Sequence, residues 1–194
     1  MVIQGSKRIY KLDLLKGAAC VGVVFTHVTF PGLWGKAVMR AAGFAVPVFF
    51  MIAGYFAYGK GRDVIWRRLI KILGILAVGY GLYFSYHACV ALRSGVLMPW
   101  LMSNFDMLTP IRYLVFCDVG FAVHLWYLIA MAETYGLWLF ISKRGWQQVA
   151  VRCLPLLFVL QFILVIYCDT YDLPWALQVN FLLRALPWFL LGYE

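Results

Sequence analysis

Leu12-Asp13-Leu14-Leu15-Lys16-Gly17-Ala18-Ala19-Cys20-Val21-Gly22-Val23-Val24-Phe25-Thr26-His27-Val28-Thr29-Phe30 is apolar over a length that suits a membrane helix, yet it holds a carboxylate, an ammonium and an imidazole group. Asp13 and Lys16 lie near one end and His27 near the other. At about 100° per residue, the step from Lys16 to His27 returns to the same helix face after a rise of roughly 16 Å. One face would then carry a cation at one depth and an imidazole at another. Polar groups inside a bilayer are costly and usually face a bundle interior or a wet cavity, which makes this face a candidate site.

The remainder of the chain has the same character. Of 194 residues, 64% are apolar and 13% charged. A soluble domain is nearer half apolar and a quarter charged, so the expected class is an all-α, polytopic integral membrane bundle. Apolar windows place about six spans, near residues 14–30, 37–58, 69–92, 122–141, 151–168 and 179–193. Pro47 and Gly54 fall inside the second, where neighbouring helices can compensate for a kink. Residues 93–121, with Pro99, Asp106, Pro110, Arg112 and Asp118, read as a structured outer loop or re-entrant segment.

Net charge is +9, and its distribution indicates topology and not a nucleic-acid partner. Lys7, Arg8, Lys11, Lys16, Lys60, Arg62, Arg67, Arg68, Lys71, Lys143, Arg144 and Arg152 fall on one side; Lys36, Arg40, Arg93 and Arg112 fall on the other. The positive side faces the cytoplasm, so the N-terminus is expected there, with the first helix uncleaved in spite of its resemblance to a signal peptide. The first helix then carries His27 to its outer end, the fourth begins near His124, and the sixth places Asn180 and Arg184 in its outer half. Lys16, Arg67, Arg68 and Lys71 gather at the inner edge.

Five cysteines, Cys20, Cys89, Cys117, Cys153 and Cys168, show no metal or redox spacing. Cys89 and Cys117 could pair if both face outward. No metal cluster, Gly-rich phosphate loop or serine nucleophile pattern is visible, and the chain reads as a single domain over 1–194 without internal repeats.

Five segments together resemble the membrane acyltransferase-3 family. They are Leu12-Asp13 with Lys16 and His27; Val46-Pro47-Val48-Phe49-Phe50-Met51-Ile52-Ala53-Gly54-Tyr55; Arg67-Arg68-Leu69 with Lys71; His124-Leu125-Trp126-Tyr127-Leu128; and Arg184 through Pro187 to Gly192-Tyr193. Lys16 stands where the family usually has Arg, and Ala53 where it usually has Ser. The resemblance implies transfer of an acyl group, acetyl in the first instance, from cytosolic acyl-CoA to a hydroxyl of an envelope glycan or small exported acceptor. It also implies a multi-pass protein of the cytoplasmic membrane. It spans nearly the whole chain, but relatives carry several more spans, so the expectation is the N-terminal portion of the family's domain, C-terminally truncated.

On this reading His27 is the general base, because an imidazole exchanges its proton near neutral pH. Lys16 and Arg184 would bind donor phosphates or steady negative charge on the thioester oxygen, and His124 would be a second site member. Arg67, Arg68 and Lys71 would attract the polyphosphate end of the donor. Each has a plainer reading: a packing histidine for His27, a Lys16–Asp13 pair one turn apart, a structural cap for His124, and ordinary positive-inside charge for the basic run. Trp126, Tyr127, Trp175 and Trp188 read as interfacial belt or core residues, and Asp169 and Asp172 as a solvated outer turn. The competing functional classes are a membrane transporter, which intramembrane charges also suit, and a non-catalytic remnant of the acyltransferase. The oligomeric state is open.

Overall fold

The computed structural model describes residues 9–28, 30–173, 175–178 and 180–194. Lys7 and Arg8, and the side chain of Trp175, lie outside the described set. Ten α-helices follow in order: α1 Tyr10–His27, α2 Gly32–Ala42, α3 Ala45–Ala57, α4 Arg62–Arg93, α5 Leu97–Asn104, α6 Thr109–Phe116, α7 Trp126–Arg144, α8 Gln147–Arg152, α9 Leu154–Thr170 and α10 Leu186–Tyr193. No strand occurs among the described residues.

Among the described residues three helical stretches are long and apolar enough to cross a membrane: Gly32–Ala57, Arg62–Arg93 and Val123–Arg144. Leu154–Thr170 and Phe181–Tyr193 are apolar but shorter. The first expected span is a helix, α1, of 18 residues, and Lys11, Asp13 and Lys16 lower its hydropathy. About six spans were expected; six helical stretches are present near those places, of unequal length.

Proline chemistry explains where the boundaries moved. Pro47 has no N–H, so the carbonyl of Gly43 lacks its usual partner four residues on. The helix breaks there: Gly43 N–H turns back to the Arg40 carbonyl at 3.1 Å, and α3 begins anew at Ala45. Pro47 thus occupies the first turn of α3, where a missing N–H costs nothing, and not a mid-span kink. Pro187 acts similarly at the other end of the chain. It cannot donate to Leu183, and residues Phe181–Ala185 form a wide π-type turn that passes into α10.

The core lies between α3, α4, α7 and α10. Phe50, Trp138, Phe189 and Leu190 are fully buried or nearly so. Trp138 stands on Phe189 and Tyr193, with ring centroids 5.4 and 4.4 Å away. Tyr127 packs on Phe50 at 4.9 Å and Trp188 on Phe158 at 4.9 Å, which makes both core residues.

The closest approach is between α3 and α10. A Cβ on Gly54 would lie 1.9 Å from the Phe189 carbonyl oxygen, and one on Gly192 would lie 1.9 Å from that of Met51. Along α1, a Cβ on Gly22 would meet that of Ala45 at 3.0 Å. Helices without a hydrophobic driving force between them associate through such small-residue contacts.

Residues 93–121 form a structured segment, as expected, built from α5 and α6. Asp106 organises the turn between them: its Oδ1 accepts from the Thr109 hydroxyl at 2.8 Å, the Leu108 amide at 3.1 Å and Arg112 at 3.0 Å. Phe121 is the centre of an aromatic group that fastens this segment to α4, with Trp100 at 5.7 Å and His87 at 6.1 Å. All five cysteines are free thiols. Cys89 is exposed while Cys117 is buried, so the pairing considered for them is not formed. Asp172 lies in the exposed turn expected for it, whereas Asp169 belongs to the last turn of α9, where it accepts a hydrogen bond from Gln178 at 3.2 Å.

Gly54→Ala and Gly192→Ala each force backbone apart and are expected to lower stability by about 1–3 kcal/mol or more, read from the thermal midpoint of the purified protein. Gly74→Ala, which meets nothing within 4 Å, is the control and should be neutral or mildly stabilising. A second expectation concerns acid. The Thr109 hydroxyl first, then the Arg112 charge and the amides, hold the Asp106 carboxyl below its ordinary value. A depressed folded value gives stability that is full above the unfolded carboxylate range and is lost as pH falls through the folded one. Hydrogen exchange at Leu108 should therefore accelerate only on acidification below about pH 4, and Asp106→Asn should show the fast exchange already at neutral pH.

Candidate active site

His27 ends α1 and His124 stands in a short tight turn before α7, and the two imidazoles meet with ring centroids 4.5 Å apart. Tyr83 of α4 lies nearly parallel to the His124 ring at 6.2 Å. Beside the pair is a cavity of about 780 Å³, whose lining includes Val23, Thr26, Met39, Val46, Phe49, Trp126, Tyr127 and Arg184. Arg184 comes from the π-type turn. Asn180 begins that turn: its side-chain oxygen accepts from the Leu183 amide at 2.8 Å and its amide group donates to the Leu177 carbonyl at 3.3 Å. Among the described residues no carboxylate pairs with Arg184.

Two imidazoles in contact can hold and pass a proton, and a guanidinium facing the same space can stabilise an oxygen that gains negative charge. This arrangement suits proton removal from a hydroxyl next to a polarised carbonyl. It contains no obvious nucleophile. Burial first, then the neighbouring Glu133 carboxyl, pushes the Cys117 thiol above its ordinary range, so it is held as an unreactive thiol. Among the described residues no three His, Cys, Asp or Glu side chains converge as metal ligands would.

Of the residues read from sequence, His27, His124 and Arg184 come together; Lys16 does not. Its ammonium lies 3.8 Å from Asp13 and 4.7 Å over the Phe56 ring, at the opposite end of α1. The shared helix face is real, but the rise of roughly 16 Å keeps the cation out of the imidazole site. The basic run divides as well. Arg68 lines a second cavity, of about 1030 Å³, with Asp13, Tyr58, Lys60, Tyr193 and Glu194. Arg67 and Lys71, one turn apart, are exposed and do not line it.

Glu133 escaped the sequence reading. It is half-buried in the middle of α7, and the Cys117 thiol donates to its Oε2 at 3.2 Å. An acidic residue within an apolar window was the available signal, since such groups are rare in membrane helices and seldom idle. Cys117 itself adopts the left-handed conformation, φ 49°, that ends α6. Tyr83 also escaped, because nothing in the sequence marks one tyrosine of α4 as the neighbour of His124.

A helical membrane protein with an imidazole pair and a guanidinium around one cavity is the class that fold and site define. Residues 9–194 match the sequence model of the acyltransferase-3 family, described as an acyltransferase domain, and the chain belongs to that family. No curated protein matches it, and neither does any solved structure.

The π-type turn that carries Arg184 depends on Asn180. Asn180→Ala should cost about 1 kcal/mol of stability, as loss of a capping side chain does, whereas Asn180→Asp should retain it; thermal unfolding of both variants checks this.

Proposed function

We propose that the chain transfers an acyl group from acyl-CoA to a hydroxyl acceptor, with His27 as general base. The observation that carries this reading is the contact of His27 with His124 beside a cavity that Arg184 also lines, in a member of an acyltransferase family. In the reaction the acceptor oxygen forms a bond to the thioester carbonyl carbon while its proton passes to His27. The carbonyl oxygen becomes an oxyanion, next to the Arg184 charge. Collapse breaks the carbon–sulfur bond, and the proton goes to the departing CoA thiolate. His124, whose ring lies 4.5 Å from that of His27, packs against the base and steadies its orientation.

The protein spans the cytoplasmic membrane several times with the N-terminus inside, on the distribution of its lysines and arginines. On that orientation the cavity lined by Lys60 and Arg68 opens to the cytoplasm, and these cations, with Lys16, Arg67 and Lys71 nearby, attract the phosphates of the donor. The imidazole site lies toward the outer face, where an envelope glycan or small exported molecule presents its hydroxyl. Acetyl is the acyl group that the family resemblance implies.

Thiol release from acyl-CoA by membranes holding the chain, with crude envelope glycan as acceptor, tests this. His27→Ala should lower release by about 10²-fold or more, the scale of a lost general base. Lys16→Arg, which keeps the charge beside Asp13, should leave it unchanged. Full turnover by a well-inserted His27→Ala chain would exclude the assigned base.

A further inference from the structure

The walls of the imidazole cavity are of one chemical kind. Val23 of α1, Val46 and Phe49 of α3, and Val123, Trp126 and Tyr127 at the start of α7 surround the space. The polar groups are His27, His124, Arg184, the indole N–H of Trp126, the Tyr127 hydroxyl and the Thr26 hydroxyl, and the last is spent within its own helix, donating to the Val23 carbonyl at 2.7 Å. The two imidazoles and the guanidinium are enough to bind a carbonyl and a reacting hydroxyl. The rest of the wall is mainly apolar and offers few partners to a polyhydroxylated ring.

Size points the same way. A volume of about 780 Å³ falls within the roughly 300–1,000 Å³ range of pockets that enclose drug-sized ligands, far more than a two-carbon acyl group fills. An apolar wall rewards each additional methylene that it covers, whereas it gains little from a methyl group alone.

We infer that this cavity is an acyl-chain pocket and that the preferred donor carries an unbranched aliphatic acyl group longer than acetyl, in the butyryl to hexanoyl range. The inference rests on the reading of the His27 site as the place of acyl transfer and specifies which acyl group it takes. The carbonyl carbon lies at the imidazole pair and the chain extends along Phe49, Val46 and Val123. The acceptor approaches from the open side and offers only its hydroxyl.

The test is a donor series. Acetyl-, butyryl- and hexanoyl-CoA are compared by thiol release with the full chain in membranes, His27→Ala serving as the control. Binding of the matching non-hydrolysable thioether analogues is measured alongside with purified protein. Specificity and binding should each rise about fourfold per added methylene, the ordinary gain for covering a CH₂ group. Val23→Phe and Val123→Phe, which fill the pocket from α1 and from the turn before α7, should each lower the hexanoyl-to-acetyl ratio at least tenfold. Two variants guard against the misfolding of either.

His27-dependent release that is greatest with acetyl-CoA, or flat along the series, overturns the pocket and leaves the acyltransferase reading intact. Absence of His27-dependent release with every donor overturns the acyltransferase reading; the analogue series then decides the pocket by itself, since a flat binding profile refutes it and a rising one upholds it. An unchanged ratio in both filled variants refutes it also, because the chain would then lie elsewhere, as it would if the walls served the apolar tail of a lipid-linked acceptor.

Discussion

Two glycines hold α3 against α10 with backbone touching backbone, and most of the architecture depends on that contact. The space for a side chain at Gly54 is occupied by the Phe189 carbonyl, and that at Gly192 by the carbonyl of Met51. Because the two helices cannot be moved apart without opening this seam, Phe50, Phe189 and Leu190 are packed on either side of it and Trp138 closes it from α7. The seam fixes where α10 begins, and hence where the π-type turn before it must lie. Arg184 therefore reaches the cavity through a chain of backbone constraints that starts with two missing side chains.

The wide turn is itself a compromise between two demands. Pro187 denies the Leu183 carbonyl its α-helical partner, yet the segment has to remain helical because its backbone groups have no water to bond with in a bilayer. A π-type turn satisfies both, with Asn180 closing its start. Such turns shift the face on which later side chains lie and are frequent at functional sites. His124 meets both His27 and Tyr83 and so ties α1 to α4 through a single ring.

What the sequence revealed follows from what periodicity and hydropathy measure. Both imidazoles and Arg184 could be placed at a common depth because helix direction alternates and charge asymmetry orients the first helix. Lys16 was read on the same helix face as His27 but roughly 16 Å away along the axis, at the inner edge, and its pairing with Asp13 over the Phe56 ring keeps it at that end. Arg68 and Arg67 look equivalent in the sequence, yet neighbours one residue apart on a helix point about 100° from each other, and only Arg68 meets a cavity. Glu133 was hidden by the strongly apolar residues around it, which satisfy a hydropathy window regardless of one carboxyl. The seam of Gly54 and Gly192 was beyond sequence reasoning, since no local pattern says that two glycines 138 positions apart face each other.

The length of α4 has a consequence for how the molecule fits its surroundings. Its 32 residues extend about 48 Å at 1.5 Å per residue, against a hydrocarbon thickness of about 30 Å. Tilt alone would have to reach about 50° to hide that excess, more than the roughly 0–40° found for membrane helices, so α4 projects past the oily layer. The projecting ends are polar: Arg62, Asp63 and Arg67 at one, Arg93 at the other. The aromatic group around Phe121 fastens the α5–α6 segment to α4 through Tyr80, Phe84 and His87, so that segment packs along the outer part of α4 and stops short of its projecting end.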